Sequence, residues 1–509
     1  MDWHRKALAA SFALLAVSLL SGCAGLPSLA QRSSSEALSE DDAAETTLGR
    51  MVKPLAEAHP GKSGVHLLVN PHDAFAARTR LAEAAQRTID IQSYIWRTDG
   101  TGLRLLQALQ NAADRGVRVR LLLDDYNTSG MDPLLSAINA HENIEVRLFN
   151  PFTVRTPRFW QILTDLPRIN RRMHNKTFTV DNSVTILGGR NVADQYFGAT
   201  DTLFTDVDVL ALGAVVDDVS ESFDRYWRSD SSYPAERIIE PGQQNRWPGP
   251  TSALADDYLK KIGDRDPLAA IRNGGMALCW ASAELVVDDP AKALGRVDDE
   301  NLILARLRDA VGKPQSRLTM ISSYFIPTRD GADALVDLVR RGVRVRVLTN
   351  SMAATDEALV HSAYAKWRDD LLNGGVRLFE MERGGDGASA SNITAGPYGS
   401  ASSTLHAKTY AVDEHLVVGS FNADPRSVNL NTEVGLVIHC PELAMKVHDA
   451  FPKRVMKSAY EVRLDDDGNL YWLEKGEEGV IRHDREPNTT FWQRVLLPVY
   501  SLLPIDGLL

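Results

Sequence analysis

Apolar positions in this chain alternate over short runs, then recur at helical spacing, and the order is used twice. GVHLLVNP (64–71) predicts a strand ending in a turn, and AFAARTRLAEAAQRT (74–88) a helix. TIDIQSYIW (88–96) predicts a second strand, LRLLQALQNAADRG (103–116) a helix closed by Gly116, and VRVRLLLDD (117–125) a third strand. A strand, a helix of this length and a further strand make a parallel crossover unit. The phrase returns as LTMISSYFIP (318–327), DALVDLVRRG (333–342) closing at Gly342, and VRVRVLTNS (343–351). MALCWASAELVVDDP (276–290) stands where GVHLLVNP stood, so the second unit is expected to begin near Gly275. A repeat of this length is a duplicated domain rather than a solenoid.

A second pair of phrases falls on the same period. HNKTFTVD (174–181) and HAKTYAVD (406–413) both read His-x-Lys-Thr-aromatic-x-Val-Asp. Alternation predicts that His174, Lys176 and Phe178 share one face of a strand, and His406, Lys408 and Tyr410 one face of its counterpart. Each Asp, 181 and 413, is followed by an apolar run, a glycine turn and an asparagine: TILGGRN ending at Asn191 and LVVGSFN ending at Asn422. An acid follows each, Asp206 in DVDVLAL and Glu433 in EVGLVI.

Two imidazoles, two ammonium groups and two amides suit a phosphoryl centre. One histidine can attack phosphorus while the other protonates the leaving oxygen, and lysines with asparagines hold the non-bridging oxygens. The lysines bring the charge a cation would bring, so no cofactor is called for, and no Cys-x-x-Cys or His-x-x-x-His spacing suggests zinc.

Composition narrows the partners. The 509 residues leave room for two core-forming units, and 44% hydrophobic with 24% charged residues describes a globular chain. A net charge of −11 disfavours a nucleic-acid partner. Cys279 and Cys440 sit in apolar strand-like runs and read as buried free thiols, with a disulfide between the halves as the rival.

The N-terminus carries Arg5 and Lys6 ahead of an apolar run too short for a comfortable membrane span, which matches a secretory signal. Its Leu20-Ser21-Gly22-Cys23 ending resembles the bacterial lipobox, implying cleavage before Cys23 and lipid on its sulfur. Ala24 in place of aspartate resembles lipoproteins sorted to the outer membrane, so a periplasm-facing, lipid-anchored protein is expected. Residues 24–48 read as a flexible tether and 236–270 as a connector between domains at 49–235 and 271–470. An apolar tail fills 471–509, and 384–403 reads as either a loop over the site or a plain insertion. FTVRTPRFWQILTDLPRINRR (152–172) and FWQRVLLPVYSLLPIDGLL (491–509) are each either membrane-docking elements or parts of the packed body.

The two His-x-Lys-x-x-x-x-Asp motifs with their following Gly and Asn resemble the phospholipase D superfamily over nearly all of 60–470. The resemblance implies an α/β fold of two pseudo-symmetric domains, each a mixed sheet flanked by helices, sharing one active site. It also implies a phosphohistidine on one of His174 and His406, the other serving as acid and then base. Lys176, Lys408, Asn191 and Asn422 match the phosphate-binding positions, and Glu433 and Asp206 the acids placed behind the histidines. Asp181 and Asp413 match motif positions with a structural part. GGRN (188–191) departs from GSFN (419–422), so the first half lacks the serine.

LLLDDYNTSGMDPLLSAINAHENIEVRLFNPF, RRMHNKTFTVDNSVTILGGRNVADQYFG and the terminal SLLPIDGLL resemble the bacterial cardiolipin synthases of the third type. What this implies is a phosphatidyltransferase acting at a membrane on phosphatidylglycerol and a second phospholipid, with an accessory protein left open. The rival readings are a hydrolytic phospholipase D, a phosphodiesterase or nuclease of the same superfamily, and a non-catalytic lipid-binding lipoprotein.

Overall fold

The computed structural model describes residues 25–200, 203–242, 247, 249, 254–383, 403–453, 455–476 and 479–495. The signal and lipobox at 1–23, the loop at 384–402 and the last 14 residues lie outside them. Among the described residues no helix is long and apolar enough to cross a membrane.

Each half builds one mixed sheet, and the two sheets repeat one strand order. In the first, Ser63–Leu68 pairs with Asp208–Gly213, then Val184–Gly188, Thr177–Val180, Thr88–Ser93, Arg118–Asp124, Ile144–Phe149 and Ser232–Pro234. In the second, Ala283–Val287 pairs with Val434–Ile438, then His415–Gly419, Lys408–Val412, Arg317–Ser322, Arg344–Asn350, Arg377–Met381 and Ala459–Leu464. The central strands are parallel, as the crossover phrases predict, and the motif strands join them antiparallel. The helix Gly100–Asp114 in the first crossover starts on Asp99, whose carboxylate accepts from the Gly102 amide. It ends where Gly116 takes φ +92°, and Gly342 closes Thr328–Arg340 in the same way at φ +89°.

One buried apolar cluster draws on both sheets, running from Leu187, Val209 and Tyr226 of the first half to Ile321, Leu416 and Leu436 of the second. The halves therefore share a core.

Four expectations need correction. The tether is pinned to the body from Ser28 onward, where Arg237 donates to the carbonyls of Ser28 and Ala30. Buried Arg120 and Arg147 donate to the carbonyls of Ser35 and Ser33, the Asp224 carboxylate accepts from the Ala37 amide, and Asn182 donates to the Leu38 carbonyl. Few apolar anchors did not mean a loose segment, because the arginines bind its backbone.

Cys279 and Cys440 form a disulfide rather than two free thiols. Cys279 lies in Cys279–Ala281, an edge strand of the first sheet paired with Ser63–Leu68, so the bond ties that edge to the second half. The apolar tail starts later than 471, since Leu470–Gly476 and Gly479–His483 extend the second sheet and Glu486 pairs with Arg368. Finally, His174 and His406 lie outside the strands expected to carry them, which begin at Thr177 and Lys408, although Lys408 Nζ still lies 3.0 Å from His406 Nδ1.

Candidate active site

Those extra residues before each strand let the histidines cross to the other half. The His174 amide donates to the Thr432 carbonyl, and the His406 amide donates to the Thr205 carbonyl, both at 2.8 Å. The second crossing is a short parallel pair of Ser403–Leu405 and Leu203–Thr205. Each histidine thus lies beside the residue that follows a threonine of the opposite half, Glu433 or Asp206. His174 Nδ1 is 2.8 Å from Glu433 Oε2, and His406 Nδ1 is 2.7 Å from Asp206 Oδ2.

A carboxylate accepts, so Nδ1 of each ring carries the proton and Nε2 keeps its lone pair. His174 Nδ1 also faces the Ser420 carbonyl at 3.1 Å, which fixes the same tautomer.

The two acids are set differently. Ser420 and Ser427 hydroxyls donate to the Glu433 carboxylate, the latter at 2.8 Å. In the first half Gly189 takes the place of Ser420, and a Cβ there would lie 2.2 Å from Asp206 Oδ1. The shorter acid needs a nearer backbone, and only glycine leaves it room. The departure of GGRN from GSFN is thus matched to the change from Glu433 to Asp206.

Burial governs the electrostatics. It pushes the Glu433 carboxyl up to about 7 against the pull of Lys176. It opposes ionisation of Asp206 as well, but the hydrogen bond and charge of His406, with Lys408 and Arg190, hold that carboxyl below its ordinary value. Burial and the nearby lysines lower His174 well below its ordinary value and His406 to about 4. Burial likewise lowers Lys176 to about 7 and Lys408 to about 8, with Glu433 and Asp206 opposing. Each of these shifts on a histidine or lysine disfavours a proton that an arriving phosphate anion would favour.

Lys176 Nζ donates to the His174 carbonyl, and Lys408 Nζ to the His406 carbonyl and to Ser323 Oγ at 3.1 Å. Asn191 donates to Tyr196 Oη at 2.8 Å, and Asn422 accepts from Ser323 Oγ at 3.0 Å. Asp181 and Asp413 stand at the other end of the motif strands. Asp181 accepts from the amides of Gln86, Arg87 and Thr88, and Asp413 from those of Gln315, Ser316 and Arg317. Among the described residues no group of three or more His, Cys, Asp or Glu could hold a metal ion.

Aromatic residues that the motif pattern did not place complete the site. Tyr94 meets His174 edge-on at 4.8 Å, and Lys176 Nζ lies 5.2 Å from the Tyr94 ring centre. Tyr196 meets His406 edge-on at 5.0 Å and Phe204 stacks on the same imidazole at 5.7 Å. Tyr196 Oη reaches within 3.4 Å of His406 Nε2. Tyr94 stands in the repeated phrase TIDIQSYIW where Tyr324 stands in LTMISSYFIP, but nothing in the spacing of Tyr196 or Phe204 ties them to a histidine more than 200 positions away.

The profile of the family described as "Cardiolipin synthase, PLD-like domain" matches residues 79–227 and 307–455, one copy in each half. Cardiolipin synthase C of Escherichia coli (strain K12) is 45% identical over 471 residues, covering 91% of this chain and 99% of that protein. The chain belongs to the cardiolipin synthase family of the phospholipase D superfamily. Within the cardiolipin synthases the likeness extends further, to cardiolipin synthase B of Shigella flexneri, 25% identical over 388 residues that cover 74% of this chain and 76% of that one. The fold is shared with the crystal structure of phosphatidylserine synthase from Haemophilus influenzae Rd KW20, at a TM-score of 0.56 and 12% identity over 91% of this chain and all of that one. The resemblance drawn from the two motifs thus holds over most of the chain.

Proposed function

We propose that this protein is a phosphatidyltransferase that makes cardiolipin, passing a phosphatidyl group through a phosphohistidine to a hydroxyl of phosphatidylglycerol. The observation that carries the mechanism is the crossed pairing, in which each half's histidine is set by a carboxylate of the other half.

His174 Nε2 is the nucleophile, its Nδ1–H donating to the Glu433 carboxylate. It forms the N–P bond as the P–O bond to the leaving alcohol breaks, and protonated His406 gives its Nε2 proton to that oxygen. The phosphodiester anion brings that proton within reach by raising His406 from the low value that burial and Lys408 give it. Lys176 and Lys408 hold the non-bridging oxygens. In the second step the acceptor hydroxyl gives its proton to neutral His406 and attacks phosphorus, breaking the N–P bond. His174 takes the nucleophile's part because Tyr196 Oη lies against His406 Nε2, and no such hydroxyl contact is seen at His174 Nε2 among the described residues.

The protein works exported, held by lipid on Cys23 at a periplasm-facing membrane, the outer one. The Leu-Ser-Gly-Cys sequence supports this, and so does the Cys279–Cys440 bond, since disulfides persist in oxidising compartments.

The test is turnover of labelled phosphatidylglycerol by wild type, His174→Ala and His406→Ala. Each variant is expected to lose activity almost completely, and the double variant to lose no more than either single one. Quenched in neutral denaturing detergent, His406→Ala should retain lipid label that mild acid then releases, given a substrate with a good leaving group, and His174→Ala should retain none. Phosphatidic acid as the sole product would replace transfer with hydrolysis, and substantial transfer by both single variants would overturn the mechanism.

A further inference from the structure

In the segment from Arg155 to Arg172, just ahead of His174, the arginines are paired and largely buried, while Phe159, Trp160, Leu163 and Leu166 are turned out. Arg155 pairs with Asp125 and Asp132, Arg158 with Asp125, Arg168 with Asp165, and Arg172 with Asp124. Every exposed residue between 156 and 167 is uncharged, and Phe159 and Trp160 lie ring to ring at 4.5 Å. With the neighbouring Tyr126, the side chains of Phe159, Trp160, Leu163 and Leu166 are 44 to 70% exposed. A water-facing helix carries the opposite pattern, with its apolar stripe inward and its charges outward. Exposed apolar clusters of this kind mark binding surfaces.

The patch is fastened to the rim of the active site. Arg158 donates to the Asp125 carbonyl, and Asn127 in the same turn donates to the carbonyl of Tyr94, the residue edge-on to His174. Arg172 and the Met173 amide close on Asp124 immediately before His174. The patch is therefore braced by the same turn and strand ends that hold Tyr94 and His174.

We propose that Tyr126, Phe159, Trp160, Leu163 and Leu166 are the surface by which the protein rests on a phospholipid bilayer, with the active-site mouth at the edge of that contact. This rests on the reading of the substrates as membrane phospholipids, which must pass from a bilayer to His174. Trp and Tyr favour the headgroup level, and Phe and Leu the acyl boundary just below it. A lipid anchor on Cys23 would hold the molecule near the membrane without orienting it. The patch supplies the orientation.

The experiment compares the full-length wild type with Trp160→Ser/Leu163→Ser on two forms of one substrate. One is long-chain phosphatidylglycerol in vesicles that hold the protein. The other is short-chain phosphatidylglycerol dissolved as monomers, with any detergent kept below its micelle-forming concentration. The variant is expected to lose roughly tenfold or more on vesicles and to stay within about twofold on monomers, with an unchanged thermal midpoint. Equal loss on both forms, or loss on neither, would overturn the proposal. So would a fall in particle mass by light scattering with vesicle turnover intact, which would make the patch an interface between two copies of this chain. A wild type that makes cardiolipin from neither form would instead overturn the reading of function beneath it.

Discussion

At Lys176 and Lys408 burial has left two ammonium groups close to losing their protons, at about 7 and about 8. The sign of the consequence follows from which form each ligand state favours. With Lys176 lowered to about 7, a phosphodiester anion favours its charged form, so binding at pH 8 is expected to take up protons. Titrating glycerophosphoglycerol at pH 8 in buffers of different ionisation enthalpy should give a buffer-dependent heat with the sign of uptake. A diester suits the measurement because it does not titrate in this range. Lys176→Met should remove much of the effect, and a heat independent of buffer would mean that the lysines are already charged. Much of this site was legible in the sequence, because a histidine, a lysine and an asparagine that recur together on the period of a duplicated domain must be brought to equivalent places in the two halves. The crossing of the acids was not. Asp206 and Glu433 follow their own histidines in sequence, and only the extended residues before Thr177 and Lys408 carry each histidine across to the other acid.

Among the elements, the motif strands are held at the end remote from the histidines. Asp181 and Asp413 both take positive φ, +50° and +49°, at the turn after the strand. Their carboxylates gather the amides that lead into the neighbouring strands Thr88–Ser93 and Arg317–Ser322. Asparagine tolerates the same backbone but gives up the charge, and hydrogen bonds to charged groups contribute about 1.5–3 kcal/mol. Asp181→Asn should therefore lower the urea midpoint by an amount corresponding to about 1–3 kcal/mol, while turnover per folded molecule changes little. Asp413→Asn should cost less, because its turn is exposed to water. Against a burial penalty, the surrounding amides and Ser316 hold Asp413 down to about 2. Its contribution is then complete above the ordinary aspartate value and lost as pH falls toward 2. An activity loss larger than the stability loss would place these acids in the chemistry after all. Alternation located the strands that these acids brace, but the bracing itself needs partners 93 to 98 positions away, beyond any local pattern.

For the molecule as a whole, the two halves are one folding and catalytic unit. They share a buried core, each completes the other's histidine, and Cys279–Cys440 closes a span of 161 residues. The pairing was not legible in the sequence because both cysteines sit in apolar runs, where a free thiol packs equally well. Only the reach of Cys279–Ala281 back to Ser63–Leu68, before Ala283–Val287 starts the second sheet, brings one cysteine to the other. A bond over so long a span restricts the unfolded chain strongly, and removing such bonds typically costs about 2–4 kcal/mol. Cys279→Ala/Cys440→Ala should thus unfold at lower denaturant, with wild-type kinetics well below its midpoint, since neither cysteine is among the residues bonded to His174 or His406. Dithiothreitol should shift the wild type to the variant's midpoint and leave the variant where it is. Equal midpoints for oxidised wild type and variant would mean that the shared core alone holds the halves together.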